Sequence, residues 1–338
     1  MKKIAIVMSS HLQNNIFASC KPYDFDNLLF QHRLLRSRLY ELGYDLATYD
    51  INSIDYVDIV FYYDYNNTLP HPVKSKRNIL FLWESNVISP QLYKTDLYVQ
   101  FDKIFTFCDE LVDGIKFFKM NYAYEIPSNI NKDISQKQKL CTLIAGNKNI
   151  NHELELYSKR KEAIRWFEAN HLDKFDLYGR GWQEYVISNQ LLSRISRRIP
   201  FVKQTLKVIC AKPFPSYHGE LDDKIPILET YKFAICYENA RDIPGYITEK
   251  IFHCFFAGCV PIYWGANNIT DYIPKNCFID KRKFETYDEL YQYISNITDA
   301  EYLNYLTNIE MYLNSEQIQQ FSAQNFANTV IKEVLNEG

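Results

Sequence analysis

Glu249 and Lys250 follow Gly245-Tyr246-Ile247-Thr248, and that order of residue types has a specific chemical use. A turn containing Pro244-Gly245 leads to Thr248, a good N-cap, and Glu249 opens a helix. Free backbone N–H groups, the helix dipole and the full charge of Lys250 together suit a diphosphate. A carboxylate facing a phosphate is repelled by it, so Glu249 suits sugar hydroxyls instead, a ribose diol being the natural partner. The same two residues read equally well as ordinary solvated first-turn charges. Just upstream, a buried apolar run ends at Tyr237, and Glu238 and Asn239 emerge at its carboxyl end, where open α/β sheets place ligands.

A second carboxylate is placed in the same way. The apolar run Arg77–Trp83 ends in Glu84, and the previous run, Val57–Asp64, ends in Asp64. Read alone, Glu84 caps the loop that follows. The seven His show no metal-like spacing; His32 lies on an apolar helical face as a core residue, and His218 is a weak candidate for lining a site. The eight Cys contain no C-x-x-C pair, and Cys236 and Cys259 read as small buried hydrophobes, as in a reducing, cytoplasmic protein.

These residues need elements to hold them. Candidate strands are Lys3–Met8, Tyr44–Tyr49, Val57–Asp64, Arg77–Trp83 and Leu97–Phe107, with a helix over Asp26–Leu42 ended by Gly43. The opening apolar run stops at Ser9, so it reads as a strand rather than a signal peptide. After a polar linker from Pro127 to Lys139 the pattern restarts, with strands at Leu140–Ala145, Phe175–Gly179, Phe233–Tyr237 and Val260–Trp264. Helices fall at about 155–170 and 249–257, and the tail from Thr286 is helical. Strands alternating with helices twice over predict two doubly wound, Rossmann-like α/β domains.

The ordered set Glu238-Asn239, Gly245–Lys250, Ala257–Gly265 (A-G-x-V-P-I-Y-W-G) and Ile273–Ile279 (I-P-x-x-x-F-I) resembles the donor-binding region of glycosyltransferase family 10, the α1,3/α1,4-fucosyltransferases. The similarity is strongest from Tyr217 to Phe284, weaker back to Leu143, and returns at Leu82-Trp83-Glu84-Ser85-Asn86. It implies the GT-B arrangement: an acceptor domain over 1–127, a donor domain over 138–300 and C-terminal helices over 301–338. It implies an inverting transferase moving fucose from a GDP-sugar to a glycan or lipid-linked glycan hydroxyl, with Glu84 as the base and Asp64 as runner-up. Asn239, Tyr246, Glu249 and Lys250 match donor-holding positions, with Glu249 on the ribose and Lys250 at the phosphates. An Arg at the start of the first donor-domain helix is also implied; Arg160 fits best, with Arg165 as fallback. Tyr178 and Arg180 are weak candidates for the donor pocket. No D-x-D stands nearby, so Arg160 and Lys250 replace a metal, and no cofactor is required. The pair Asp222-Asp223 reads as the opening of a helix at Lys224. The alternatives are the same fold with another nucleotide sugar, or a non-catalytic nucleotide-sugar-binding protein.

The remaining signals concern partners. A net charge of −3 over 338 residues argues against bulk nucleic-acid binding. Hydrophobic residues make up 47%, with 27 Tyr and 22 Phe, enough for two largely aromatic cores. From Arg194 to Lys212 six cations interleave with apolar residues and no acid. That stretch reads either as a helix covering the donor domain or as a peripheral contact with an anionic membrane.

Overall fold

The computed structural model describes residues 1–183 and 214–335. The basic stretch 194–212 lies outside them. The first domain contains β1 (Lys2–Val7), α1 (Phe30–Glu41), β2 (Tyr44–Thr48), β3 (Ile59–Tyr63), β4 (Arg77–Leu82), β5 (Lys103–Thr106) and β6 (Phe117–Lys119). All strand pairs are parallel, in the order β2-β1-β3-β4-β5-β6. The continuous apolar runs of β3 and β4 are explained by burial on both faces. Val60, Tyr62, Leu80 and Leu82 join one core, and Phe61, Tyr63, Ile79 and Phe81 join the other.

The second domain contains β7 (Lys139–Ile144), α2 (Tyr157–Asn170), β8 (Phe175–Tyr178), α3 (Ile225–Leu228), β9 (Tyr231–Tyr237), α4 (Glu249–Phe256), β10 (Val260–Trp264) and β11 (Ile279–Asp280). Its sheet is also parallel, in the order β11-β10-β9-β7-β8. Then come α5 (Tyr287–Asn296), α6 (Asp299–Leu313) and α7 (Ala323–Leu335). The last helix returns to the first domain, where Phe326, Ala327, Val330 and Val334 pack with Leu35 and Leu39 of α1. His32 sits in that core, edge-on to Tyr63 and Phe326, and burial pushes its imidazole down to about 3, so it stays neutral.

Three sequence expectations differ from the structure, the first being the helix expected from Asp26, which begins at Phe30 because Asp26 and Asn27 have positive φ. The run expected as one strand, Leu97–Phe107, splits into a helical turn at Thr95–Tyr98 and the shorter β5. The turn lets Tyr98 and Phe101, three residues apart, both enter the core beside Leu92, which an extended chain would not allow. The helix near Lys224 is not opened by Asp222-Asp223, which face Lys21. Its first N–H groups, of Lys224 and Ile225, are capped by Asp26 of the first domain at 2.8 and 3.2 Å.

The domains also meet around Asp109. Its carboxylate accepts from Lys119 at 2.6 Å, from Asn268 at 2.9 Å and from the Tyr272 hydroxyl at 2.5 Å. Asn268 in turn accepts from the Gly245 N–H at 3.0 Å. Gly245 has φ +80°, and a Cβ there would lie 2.3 Å from the Phe107 carbonyl oxygen. The turn before Tyr246 is therefore pressed against the first domain. Gly245→Ala should lower stability by about 2–4 kcal/mol, combining backbone strain with the steric conflict. Urea unfolding checks this; a loss under about 0.5 kcal/mol would mean that the junction yields easily.

Candidate active site

The carboxyl ends of both sheets face a cleft of about 670 Å³. Among its lining residues are Glu84 and Asp64 from the first domain and Arg160, Asn239, Tyr246, Glu249 and Lys250 from the second. All six predicted site residues therefore come together, although Glu84 and Lys250 are 166 positions apart in the chain.

Arg160, one turn into α2, is buried at 3% exposure. Its Nε and Nη2 donate to the Tyr237 carbonyl oxygen at 3.2 and 2.6 Å, and Nη2 also donates to Asn239 Oδ1 at 3.1 Å. Among the described residues no carboxylate lies within ion-pair distance of it. Burial pulls the guanidinium's proton affinity down, although the charges of Glu238 and Glu249 offset part of that. The fallback, Arg165, points elsewhere, pairing with Glu168 at 2.7 Å and lying 3.7 Å over the Phe214 ring.

Lys250 and Lys224, by contrast, have acidic partners. Lys250 Nζ donates to Thr248 Oγ1 at 2.8 Å and Glu238 Oε2 at 3.1 Å. Burial would lower its pKa, but Glu238 and Glu249 raise it, so Lys250 is charged. Burial would likewise raise Glu249; Lys250, Lys224 and His253 reverse that and hold the carboxyl well below the usual range. Lys224 and Lys250 lie 3.6 and 3.7 Å from Glu249 Oε1. Thr248 occupies the expected N-cap position but makes no side-chain cap; its hydroxyl donates to Glu238 Oε2 at 2.7 Å. Glu238, fully buried, also accepts from the Thr248 N–H at 2.8 Å.

Glu238 is thus the residue that sequence reasoning passed over. It lay inside the quoted motif, but only the structure reveals that its side chain turns beneath the helix N-terminus while Asn239 turns towards Arg160. Lys224 was passed over as well, although it directly follows the acidic pair that drew attention.

Across the cleft, Glu84 Oε1 accepts from the Tyr246 hydroxyl at 2.9 Å and from the Ser85 N–H at 3.1 Å. Asp64 lies beneath, its Oδ1 accepting from the N–H groups of Trp83 at 2.8 Å and Glu84 at 3.3 Å. Asp64 has φ +43°, a conformation that Asp tolerates better than most residues, and burial pushes its carboxyl up to about 6. Asp64, although it also lines the cleft, is engaged through Oδ1 in holding the Glu84 turn.

The weaker candidates divide. Arg180 reaches the cleft with a side chain 79% exposed, 3.4 Å from Glu220. Tyr178 pairs with Tyr231 at 3.1 Å and His218 with Asp176 at 2.6 Å, and neither is a lining residue. Gly179 has φ +123°, and a Cβ there would lie 2.1 Å from the Ala145 carbonyl oxygen, so a side chain would push the β7 and β8 loops apart. Among the described residues no group of three or more His, Cys, Asp or Glu is placed to hold a metal ion, and no helix is long and apolar enough to cross a membrane.

Comparison with known proteins places this geometry in a family. An alpha-(1,4)-fucosyltransferase of Arabidopsis thaliana is 41% identical over 69 residues, covering 20% of this chain and 17% of that protein. The alpha-(1,3)-fucosyltransferase FucT of Helicobacter pylori is 40% identical over 73 residues, covering 21% of this chain and 15% of that one. The chain therefore matches less than a fifth of the length of either relative. The crystal structure of an alpha1,3-fucosyltransferase superposes with a TM-score of 0.52 at 16% identity, covering 100% of this chain and 91% of that one, which establishes the GT-B fold. The profile described as "Glycosyltransferase family 10 (fucosyltransferase) C-term" matches residues 134–330, more than half of the sequence, and the chain belongs to that family.

Proposed function

We propose that this protein is an inverting fucosyltransferase that moves fucose from GDP-fucose to a hydroxyl of a glycan or lipid-linked glycan. The observation that carries the reading is the buried guanidinium of Arg160, which has no acidic partner among the described residues and lines the same cleft as Glu84. A buried cation held only by neutral groups, here two oxygens and the Tyr157 ring, is costly unless an anion completes it. The diphosphate of a nucleotide sugar has the charge and the size. With Lys250 and the N–H groups opening α4, Arg160 would bind that diphosphate and stabilise the negative charge that builds as GDP leaves.

Glu249, held ionised by Lys224 and Lys250, would accept hydrogen bonds from the ribose diol. Glu84 would take the proton from the acceptor hydroxyl as its oxygen attacks the anomeric carbon. The oxygen–carbon bond forms as the carbon–phosphate oxygen bond breaks, and the electron pair leaves with GDP. In this scheme the two cations do the work of a metal, and no divalent ion is essential. Cytoplasmic residence, with residues 194–212 near an anionic membrane surface, belongs to the same proposal.

Four measurements test it. GDP-fucose should raise the melting temperature more than UDP-linked sugars and should be hydrolysed slowly without acceptor, because a ligand bound only to the folded state stabilises it. Tight GDP binding without hydrolysis or transfer would instead indicate a non-catalytic binding protein. Arg160→Ala and Lys250→Ala should each weaken GDP binding by about 1.5–3 kcal/mol in calorimetry; wild-type affinity in both would remove the clamp. Transfer should survive EDTA, and its complete loss, restored by manganese, would overturn the metal-free scheme.

A further inference from the structure

The side chains between Arg160 and Glu84 form a continuous hydrogen-bonded relay whose polarity is fixed at one end. A guanidinium only donates, so the oxygen of Asn239 must face Arg160, at 3.1 Å from Nη2. The Asn239 amide nitrogen then faces the Tyr246 hydroxyl at 3.3 Å and donates to it. Tyr246 has one proton left to give, and it goes to Glu84 Oε1 at 2.9 Å. Glu84 Oε2 has no protein partner among the described residues.

Tyr246 is 1% exposed, and its ring lies 4.9 Å from Phe107 of the first domain, so the phenol has little freedom to turn elsewhere. The relay also crosses the cleft: Glu84 belongs to one domain, and Asn239, Tyr246 and Arg160 to the other.

We propose that Tyr246 is a positioning residue, which pins one oxygen of Glu84, leaves the other for the acceptor proton, and couples that arrangement to an anion bound at Arg160. A diphosphate oxygen at the guanidinium competes for the Nη2 donor and loosens the carbonyl end of Asn239. The amide and phenol then readjust, and the hydrogen bond on Glu84 changes. Donor occupancy in one domain thereby alters the basicity of the carboxylate in the other, and by reciprocity the state of Glu84 alters donor affinity. The inference rests on the donor reading given above.

The test reads Glu84 directly, without turnover. In protein carrying 13C-labelled glutamate, the Glu84 carboxyl signal is assigned by its loss in Glu84→Gln and followed with pH. Other titratable groups facing it are Asp64, Tyr93, Tyr122, Tyr157 and Tyr246. Of these only Asp64 is acidic, and it is present in every variant. Tyr246→Phe removes a donor to the ionised carboxylate, so the Glu84 midpoint should rise by about one pH unit. Adding GDP should move the midpoint further in the wild type than in Tyr246→Phe, because the diphosphate's charge acts through space in both and the relay acts in the wild type alone. An unchanged midpoint in Tyr246→Phe, or an equal response to GDP in both proteins, overturns the proposal. Asn239→Ala cuts the relay while leaving Tyr246 on Glu84, and it should reduce the GDP response to that of Tyr246→Phe; a response equal to the wild type's also overturns the coupling. If GDP fails to bind the wild type, the donor reading falls, and the Tyr246→Phe midpoint still decides the positioning role.

Discussion

A guanidinium held in the protein interior by a backbone carbonyl, an amide oxygen and a tyrosine ring carries a charge that none of these neutralises. Arg160 is in that position, and much of the neighbouring structure follows from it. The Tyr237 carbonyl oxygen is available because β9 ends there and the chain turns out of the sheet. Asn239 can reach Arg160 because the preceding residue, Glu238, is directed the other way, beneath the N-terminus of α4. Had the Glu238 carboxylate faced Arg160 instead, the charge would have been satisfied within the chain and the pull on an anion lost.

Glu238 instead satisfies Thr248 and Lys250, so Lys250 is fixed beside the helix N-terminus, where it also lines the cleft. Glu249 is balanced from the side by Lys224, whose backbone is itself held by Asp26 of the opposite domain. Asp26, Asp109 and Gly245 thus tie the two domains together at points around the cleft. An apolar cluster of Val87, Phe107, Ala240, Ile243 and Tyr246 fills the contact between them. Across this junction a single phenol bridges from one sheet's loops to a carboxylate on the other's.

Much of this was legible in the chain. The runs of β3, β4, β9 and β10 are readable because strands buried on both faces are continuously apolar, and the polar residues at their ends mark the cleft. Glu84, Asn239, Tyr246, Glu249 and Lys250 were legible as types at strand and helix ends, and the family resemblance added their proposed roles. Side-chain direction was not legible: Glu238 and Asn239 are adjacent and polar, and only packing decides which one turns under α4. Long-range capping was equally hidden, since Asp26 carries no local mark of the α3 N–H groups it serves almost two hundred positions away. Leu97–Phe107 misled because apolar residues serve a helical turn and a strand alike when both face the same core.

The central claim is that a carboxylate from one domain and a cation pocket from the other make one catalytic centre. Glu84→Gln tests it most directly, because it keeps shape and polarity while removing the proton acceptor. The account predicts GDP affinity within about threefold of wild type, with the rate of fucose transfer falling by roughly 10²–10⁴. Transfer by Glu84→Gln at more than about a tenth of the wild-type rate would contradict it.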